Sequence, residues 1–188
     1  MRIIAGRFKG HRIVSPRGSK VRPTTERVRE AMFSHIGDAV RGVRILELFA
    51  GTGAFGFEAL SRGARSVVFV ENDPATARQA RRVAESLGAE AEVSILELDA
   101  RVAVQILTRK KERFGIVFLD PPYESDWITQ LVVSPGLPDL VERGGLLVWE
   151  RQARSVDLPL PSRLERRFSR RYGNTLVEMF EVNPQPPF

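Results

Sequence analysis

Hydrophobic positions along the chain follow two alternating rhythms. Short apolar runs bounded by turn residues, Arg44 to Phe49, Ser66 to Val70, Glu92 to Glu97, Ile116 to Leu119 and Leu146 to Glu150, predict strands. Between them lie amphipathic stretches near Phe55 to Arg62, Pro74 to Leu87, Arg101 to Lys111 and Ile128 to Glu142, which predict helices. Strand then helix, repeated, predicts an α/β fold with a mostly parallel, doubly wound sheet covered on both faces. After Pro159 and Pro161 the pattern changes to two runs, Leu164 to Tyr172 and Thr175 to Val182, joined by Gly173-Asn174. This predicts an antiparallel hairpin closing one edge of the sheet.

The first 37 residues differ from this body. Ile3, Ile4, Phe8, Ile13 and Val14 alternate with basic residues and are punctuated by Gly6, Gly10, Pro16, Gly18 and Pro23, a pattern expected of a small β-hairpin. Thr24 or Thr25 can cap a helix that begins near Glu26, carries Val28, Met32 and Ile36 on one side and stops at Gly37. The expected organisation is a basic extension over 1–37, a main body over 38–182 and a disordered tail over 183–188, with no repeat and no second core.

Composition narrows the function. The 188 residues are 43% hydrophobic and 28% charged, which excludes a disordered or fibrous chain. No apolar run approaches the roughly 20 residues that cross a bilayer, and the charged start lacks a signal-peptide core, so no membrane partner and a cytoplasmic location are expected. Zero cysteines exclude disulfides, thiolate metal sites and a sulfur nucleophile. His11 and His35 have no metal-ligand spacing, and no metal is expected.

Net charge is +6. Residues 1–30 hold nine Lys/Arg against two acids, and the remaining chain holds 20 against 21, so the whole excess belongs to the N-terminal segment. A second basic group, Arg163, Arg166, Arg167, Arg170 and Arg171, lies near the C-terminus. Arg7, Lys9, Arg12, Arg22, Arg167 and Arg170 are the candidates for contact with a nucleic-acid backbone.

Ligands of such sheets bind where strands end at their carboxyl side, near the switch in strand order. The first such segment is Glu47-Leu-Phe-Ala-Gly51-Thr-Gly53-Ala-Phe-Gly56, whose glycines permit a tight turn and close approach of a ligand. Glu71 ends the next strand 20 residues after Gly51, placed with Asn72 to meet ribose hydroxyls. This much also fits a nicotinamide dinucleotide. Glu47 changes the choice, because an acid beside the loop repels a pyrophosphate but suits the ammonium of a methionine moiety. Asp99, followed by Ala100, comes after the third strand, where a carboxylate can accept from an adenine amino group. S-adenosylmethionine carries the ammonium, the ribose and the adenine, and no phosphate.

The fourth strand runs into Asp120-Pro121-Pro122-Tyr123. Two prolines hold the Asp120 carboxylate, the Pro121 carbonyl and the Tyr123 ring in fixed relation. Such a trio suits alkylation of an exocyclic base nitrogen: two acceptors hold the amine while an aromatic face stacks on an extruded base.

These motifs, in this order, resemble the class I S-adenosylmethionine-dependent methyltransferases that act on exocyclic amino groups, with a Rossmann-like fold. Arg2-Ile-Ile-Ala-Gly6 with Lys9-Gly10, and Arg22-Pro-Thr-Thr-Glu-Arg-Val-Arg-Glu30, narrow the resemblance to the bacterial 16S ribosomal RNA guanine-N2-methyltransferases of the small subunit, over nearly the whole chain to about Val182. The resemblance implies methylation of the N2 amine of a guanine in 16S rRNA during subunit assembly, on the RNA or the assembly particle. It implies Asp120, Pro121 and Tyr123 at the amine and base, and Glu47, Gly51, Gly53, Glu71, Asn72, Asp99, Ala100 and Asp120 around the cofactor. Arg22, Thr24 and Thr25 match a stretch near cofactor or substrate. The alternatives are an adenine-N6 methyltransferase on DNA or RNA, a nicotinamide-dependent oxidoreductase, and a non-catalytic RNA-binding protein.

Overall fold

A computed structural model describes residues 1–14, 25–122, 130–132, 136–154 and 160–183. Seven strands form one sheet: β1 (Arg44–Leu48), β2 (Ser66–Val70), β3 (Val93–Leu96), β4 (Phe114–Leu119), β5 (Val141–Gln152), β6 (Leu164–Tyr172) and β7 (Thr175–Val182). Their order is β3-β2-β1-β4-β5-β7-β6. Neighbours from β3 through β5 pair in parallel, and β7 pairs antiparallel with both β5 and β6. The doubly wound sheet and its closing hairpin are as the sequence predicts.

Helices α1 (Glu26–Ile36), α2 (Ala54–Ser61) and α3 (Pro74–Leu87) cover one face, packing Met32, Phe33, Phe55, Phe57 and Val83 on Ile45, Val67, Phe69, Ile116 and Phe118. Helix α4 (Ala100–Arg109) and the short α5 (Gly136–Asp139) cover the other, where Ala103, Val104, Leu107 and Leu137 meet Leu46, Leu48, Val117, Leu119 and Leu147. All six residues of β4 are buried, as a central strand between two helical layers requires. Local chemistry sets the helix ends. Asp73 caps α3 by accepting from the Thr76 N–H at 2.7 Å, Pro74 occupies the first turn, and Gly88 closes the helix at φ 63°.

One expectation is corrected. The helix expected over Ile128 to Glu142 does not reach Glu142: residues 130–132 and the four of α5 are helical, and β5 already begins at Val141. Pro138 lacks the N–H a continuing helix needs, and Val141 instead pairs with Phe114. The expected N-terminal hairpin is present: Arg2 and Arg12 form an antiparallel bridge, flanked by Ile3 N–H donating to His11, Gly10 N–H donating to Ile3 and Ile13 N–H donating to Met1. Its order comes from docking. Ile3 and Ile13 enter the core, Ile4 and Ala5 N–H donate to the Glu58 carboxylate at 2.7 and 3.1 Å, and Arg7 N–H donates to the Ser61 carbonyl at 2.8 Å. Gly6 permits this approach: at φ 84°, a Cβ there would lie 1.8 Å from the Ser61 oxygen. The expected tail beyond Asn183 lies outside the described residues.

Candidate cofactor and base site

The strand order reverses between β1 and β4. Leu48 pairs with Leu119, so the glycine loop and Asp120 leave adjacent strands at the same level of the sheet. After β1 the chain turns through Phe49, Gly51 and Gly53 at φ 57°, 55° and 74°. Gly53 starts α2 without a side-chain cap, and a Cβ there would meet the Phe69 ring at 2.8 Å and Phe57 at 2.9 Å. The loop therefore packs tightly on the core beneath it and presents backbone to its ligand side.

Glu47 lies under this loop. Its carboxylate is buried and accepts from the Gly56 N–H at 2.7 Å, in the first turn of α2. Burial pushes its pKa up to about 8, against the opposing pull of the Gly56 and Phe55 N–H groups and the Arg29 charge. One function of Glu47 is thus to brace the loop, a role its position in the sequence does not reveal.

Glu71, half-buried at the end of β2, joins two turns: Oε2 accepts from the Gly51 N–H and Oε1 from the Asp73 N–H, each at 2.8 Å. Each oxygen keeps a further lone pair for a ligand hydroxyl. Asn72 beside it is exposed. Asp99 caps α4 through the Arg101 N–H at 2.9 Å, and Ala100 is the buried first residue of that helix. Burial raises the Asp99 pKa, but the Arg101 side chain, N–H and charge outweigh it and hold the group below its ordinary range.

Asp120 is half-buried and Pro121 buried immediately beyond β4. Thr25 is the N-cap of α1, accepting from the Val28 N–H at 3.3 Å. Tyr123, Arg22 and Thr24 lie outside the described residues.

Four carboxylates thus lie at or just beyond the carboxyl ends of β1 to β4: Glu47 within β1, one residue before its end, and Glu71, Asp99 and Asp120 after β2, β3 and β4. This set of acceptors fits a cosubstrate that combines an ammonium, ribose hydroxyls and an adenine amine, and it opposes a pyrophosphate. Among the described residues no group of His, Asp or Glu could hold a metal, and no helix is long and apolar enough to cross a membrane.

The basic candidates separate into paired and unpaired settings. Arg7 forms an ion pair with Glu92 and stacks over Phe8 at 4.4 Å, while Lys9 and Arg12 are exposed. On the exposed edge strand β6, Arg167 is bridged to Glu165 at 2.7 Å and to Glu181 at 2.9 Å, and Arg170 lies 5.5 Å over the Tyr172 ring. Sequence reasoning missed one buried unit entirely. Arg29 of α1 and Glu58 of α2 are both fully buried, 3.6 Å apart, and Glu58 also accepts from Arg62 at 2.7 Å. The available signal was Glu58 itself, the single charge in the apolar segment Ala54 to Ser61.

Comparison with known proteins agrees with this geometry. The chain is 33% identical over 154 residues to the ribosomal RNA small subunit methyltransferase D of Escherichia coli (strain K12), covering 80% of this chain and 71% of that protein. A solved structure from Escherichia coli, yhhF, provisionally assigned as a methyltransferase, superposes with a TM-score of 0.82 at 26% identity over 98% of this chain and 99% of that one. An RNA methyltransferase from Salinibacter ruber, solved with S-adenosyl-L-homocysteine, shares the fold at a TM-score of 0.66 and 18% identity, over 88% of this chain and 97% of that one. The family described as conserved hypothetical protein 95 matches residues 1–181. With the glycine loop and the Asp120 turn on adjacent strands of this sheet, the chain belongs to that family and is an S-adenosylmethionine-dependent methyltransferase.

Proposed function

We propose that the protein methylates the exocyclic N2 amine of a guanine in 16S ribosomal RNA, as free RNA or within a small-subunit assembly particle. The observation that carries this reading is the adjacency of the glycine loop and Asp120-Pro121-Pro122 on the neighbouring strands β1 and β4. The relative named for small-subunit ribosomal RNA supports the choice of substrate. Residues 1–37 act in this reading as a basic extension on a catalytic body, with Lys9 and Arg12 as its exposed phosphate contacts.

The cofactor, when bound, supplies an electrophilic methyl group on a sulfonium. Gly51 and Gly53 would give it access to backbone, Glu71 would accept from its ribose and Asp99 from its adenine, while Glu47, which braces the loop, would set the acidic side on which an ammonium is favoured. Asp120 and the Pro121 carbonyl accept the two amine hydrogens, turning the nitrogen lone pair out of conjugation with the ring and toward the methyl. The nitrogen–carbon bond would form as the methyl–sulfur bond breaks, its electron pair staying on sulfur as a neutral thioether, and the amine would lose one proton, for which the Asp120 carboxylate is the adjacent acceptor. Tyr123 stacks on the extruded base. The experiment is transfer of labelled methyl to small-subunit RNA and particles from a strain lacking the enzyme, followed by nucleoside analysis. N2-methylguanosine is the expected product; N6-methyladenosine, or no incorporation, overturns the proposal.

A further inference from the structure

The arginines of the closing hairpin divide by position. Near the start of β6, Arg163 pairs with Asp139 at 2.7 Å, Arg166 with Glu178 at 3.3 Å, and Arg167 with Glu165 and Glu181. Arg170 and Arg171, at the other end of β6, are exposed and form no ion pair among the described residues. Arg170 lies over the Tyr172 ring, and Arg171 Nε donates to the Gly173 carbonyl at 2.6 Å. Each guanidinium is thus steadied by an uncharged neighbour and keeps its charge uncompensated. The end of β5 adds a third: Ala153 N–H donates to the Asn174 carbonyl at 2.8 Å, which brings Arg154 to the hairpin turn, exposed and also without an ion pair among the described residues. The acids of these strands at this end, Glu150 and Glu178, are buried.

The register puts these charges level with the site. Leu119 stands opposite Trp149, Trp149 opposite Glu178, and Glu178 opposite Ser169, so the next row across the sheet runs from Asp120 to Arg170 and the one after it from Pro121 to Arg171. Three strand spacings separate the ends of each row, about 14 Å. Charge on an edge strand commonly blocks pairing with another sheet, and the ion-paired arginines near Leu164 serve that purpose too. It does not account for unpaired cations gathered at the one end that is level with Asp120. Resting on the RNA reading above, we propose that Arg154, Arg170 and Arg171 hold phosphates of the substrate RNA a few nucleotides from the target base, so that the strand crosses the carboxyl ends of β4, β5 and β7 with the base at Asp120. A guanidinium meets a phosphate through two parallel N–H donors, and such contacts fix the register of a strand without reading its sequence.

The probe is small-subunit ribosomal RNA from a strain lacking the enzyme, with binding followed across a salt titration. Arg170→Ala with Arg171→Ala should lower the slope of log affinity against log salt by about 0.7 per residue, and Arg154→Ala in the same chain by as much again. KM for the RNA should rise about fivefold or more while kcat and cofactor affinity stay near wild type, because a phosphate is held alike before and during methyl transfer. The charge-keeping triple, Arg154→Lys, Arg170→Lys and Arg171→Lys, should retain most of the slope. Arg113→Ala with Arg143→Ala, which removes two exposed charges beside the amino ends of β4 and β5, should leave it unchanged. A wild-type slope in the alanine triple, or an equal fall in the Arg113 and Arg143 variant, overturns the proposal. So does a wild-type dimer that the alanine triple loses with RNA affinity intact, since the edge would then be a contact between copies. Failure of the guanine-N2 reading looks different: methyl appears on another atom while the salt slopes still separate the variants.

Discussion

Replacing Glu58 by alanine should unfold the protein more readily than any substitution in the ligand loops. Glu58 is fully buried and meets four groups: the Ile4 and Ala5 N–H at 2.7 and 3.1 Å, Arg62 Nε at 2.7 Å and Arg29 Nε at 3.6 Å. Burial already lowers the Arg29 pKa, and Glu58 is the chief group opposing that shift. Truncation leaves the guanidinium without its main counter-charge in the core, a loss of about 3–5 kcal/mol. The two stranded N–H groups of the arm add to this, though not additively. A chain of this size loses about 2–4 °C in Tm per kcal/mol, so a fall of roughly 10 °C is expected. Urea and thermal unfolding measure it, and limited proteolysis should show the first 14 residues cleaved early. Glu58→Leu combined with Arg29→Met removes both charges and should be milder than Glu58→Ala alone. A loss below about 1 kcal/mol for the single variant, or strictly additive losses in the pair, would refute the buried-pair argument.

Glu71→Ala should weaken S-adenosylmethionine binding at least tenfold, since charged hydrogen bonds contribute about 1.5–3 kcal/mol each; unchanged calorimetric affinity in a folded variant removes Glu71 from the site. Asp120→Asn should lower single-turnover methyl transfer by about 10² or more with cofactor affinity nearly constant, and a rate near wild type would reject its role at the amine. Lys9→Glu with Arg12→Glu should reduce the salt slope of RNA binding by about 1 per residue, whereas an unchanged slope would leave these charges as solvated surface. Glu47, raised to about 8 when folded, binds a proton that the unfolded chain has released above its ordinary value of 4.5. Its contribution to stability is therefore lost as pH rises from about 5 to 8, and Glu47→Gln should flatten that decline in pH-dependent unfolding; parallel curves would show that Glu47 is already ionised.

The strand and helix rhythm, the glycine loop and the Asp120 turn were legible in the amino-acid sequence because each is local. Alternation, a capping residue such as Thr25, and prolines act within a few positions, so β2, α3 and the β6–β7 hairpin fall where the pattern puts them. The end of the helix expected over Ile128 to Glu142 was misplaced because the hydrophobic spacing suits a helix throughout, while pairing with Phe114 of β4 draws Val141 into a strand. Charges were least legible, since a sequence shows their sign and not their partners. Arg7 looks like a free cation until folding brings Glu92, 85 residues away, against it, and Arg167 is neutralised by Glu181 across the β6–β7 ladder. Glu47 and Glu71 show the same division: their place after β1 and β2 follows from the sequence, but the N–H groups they accept from exist only once the loop is folded. What the sequence alone determined is the set of acids at the strand ends. Tertiary structure decided which of them brace the backbone, and that the glycine loop and Asp120 leave their strands at one level, because register between β1 and β4 is set by pairing across the sheet.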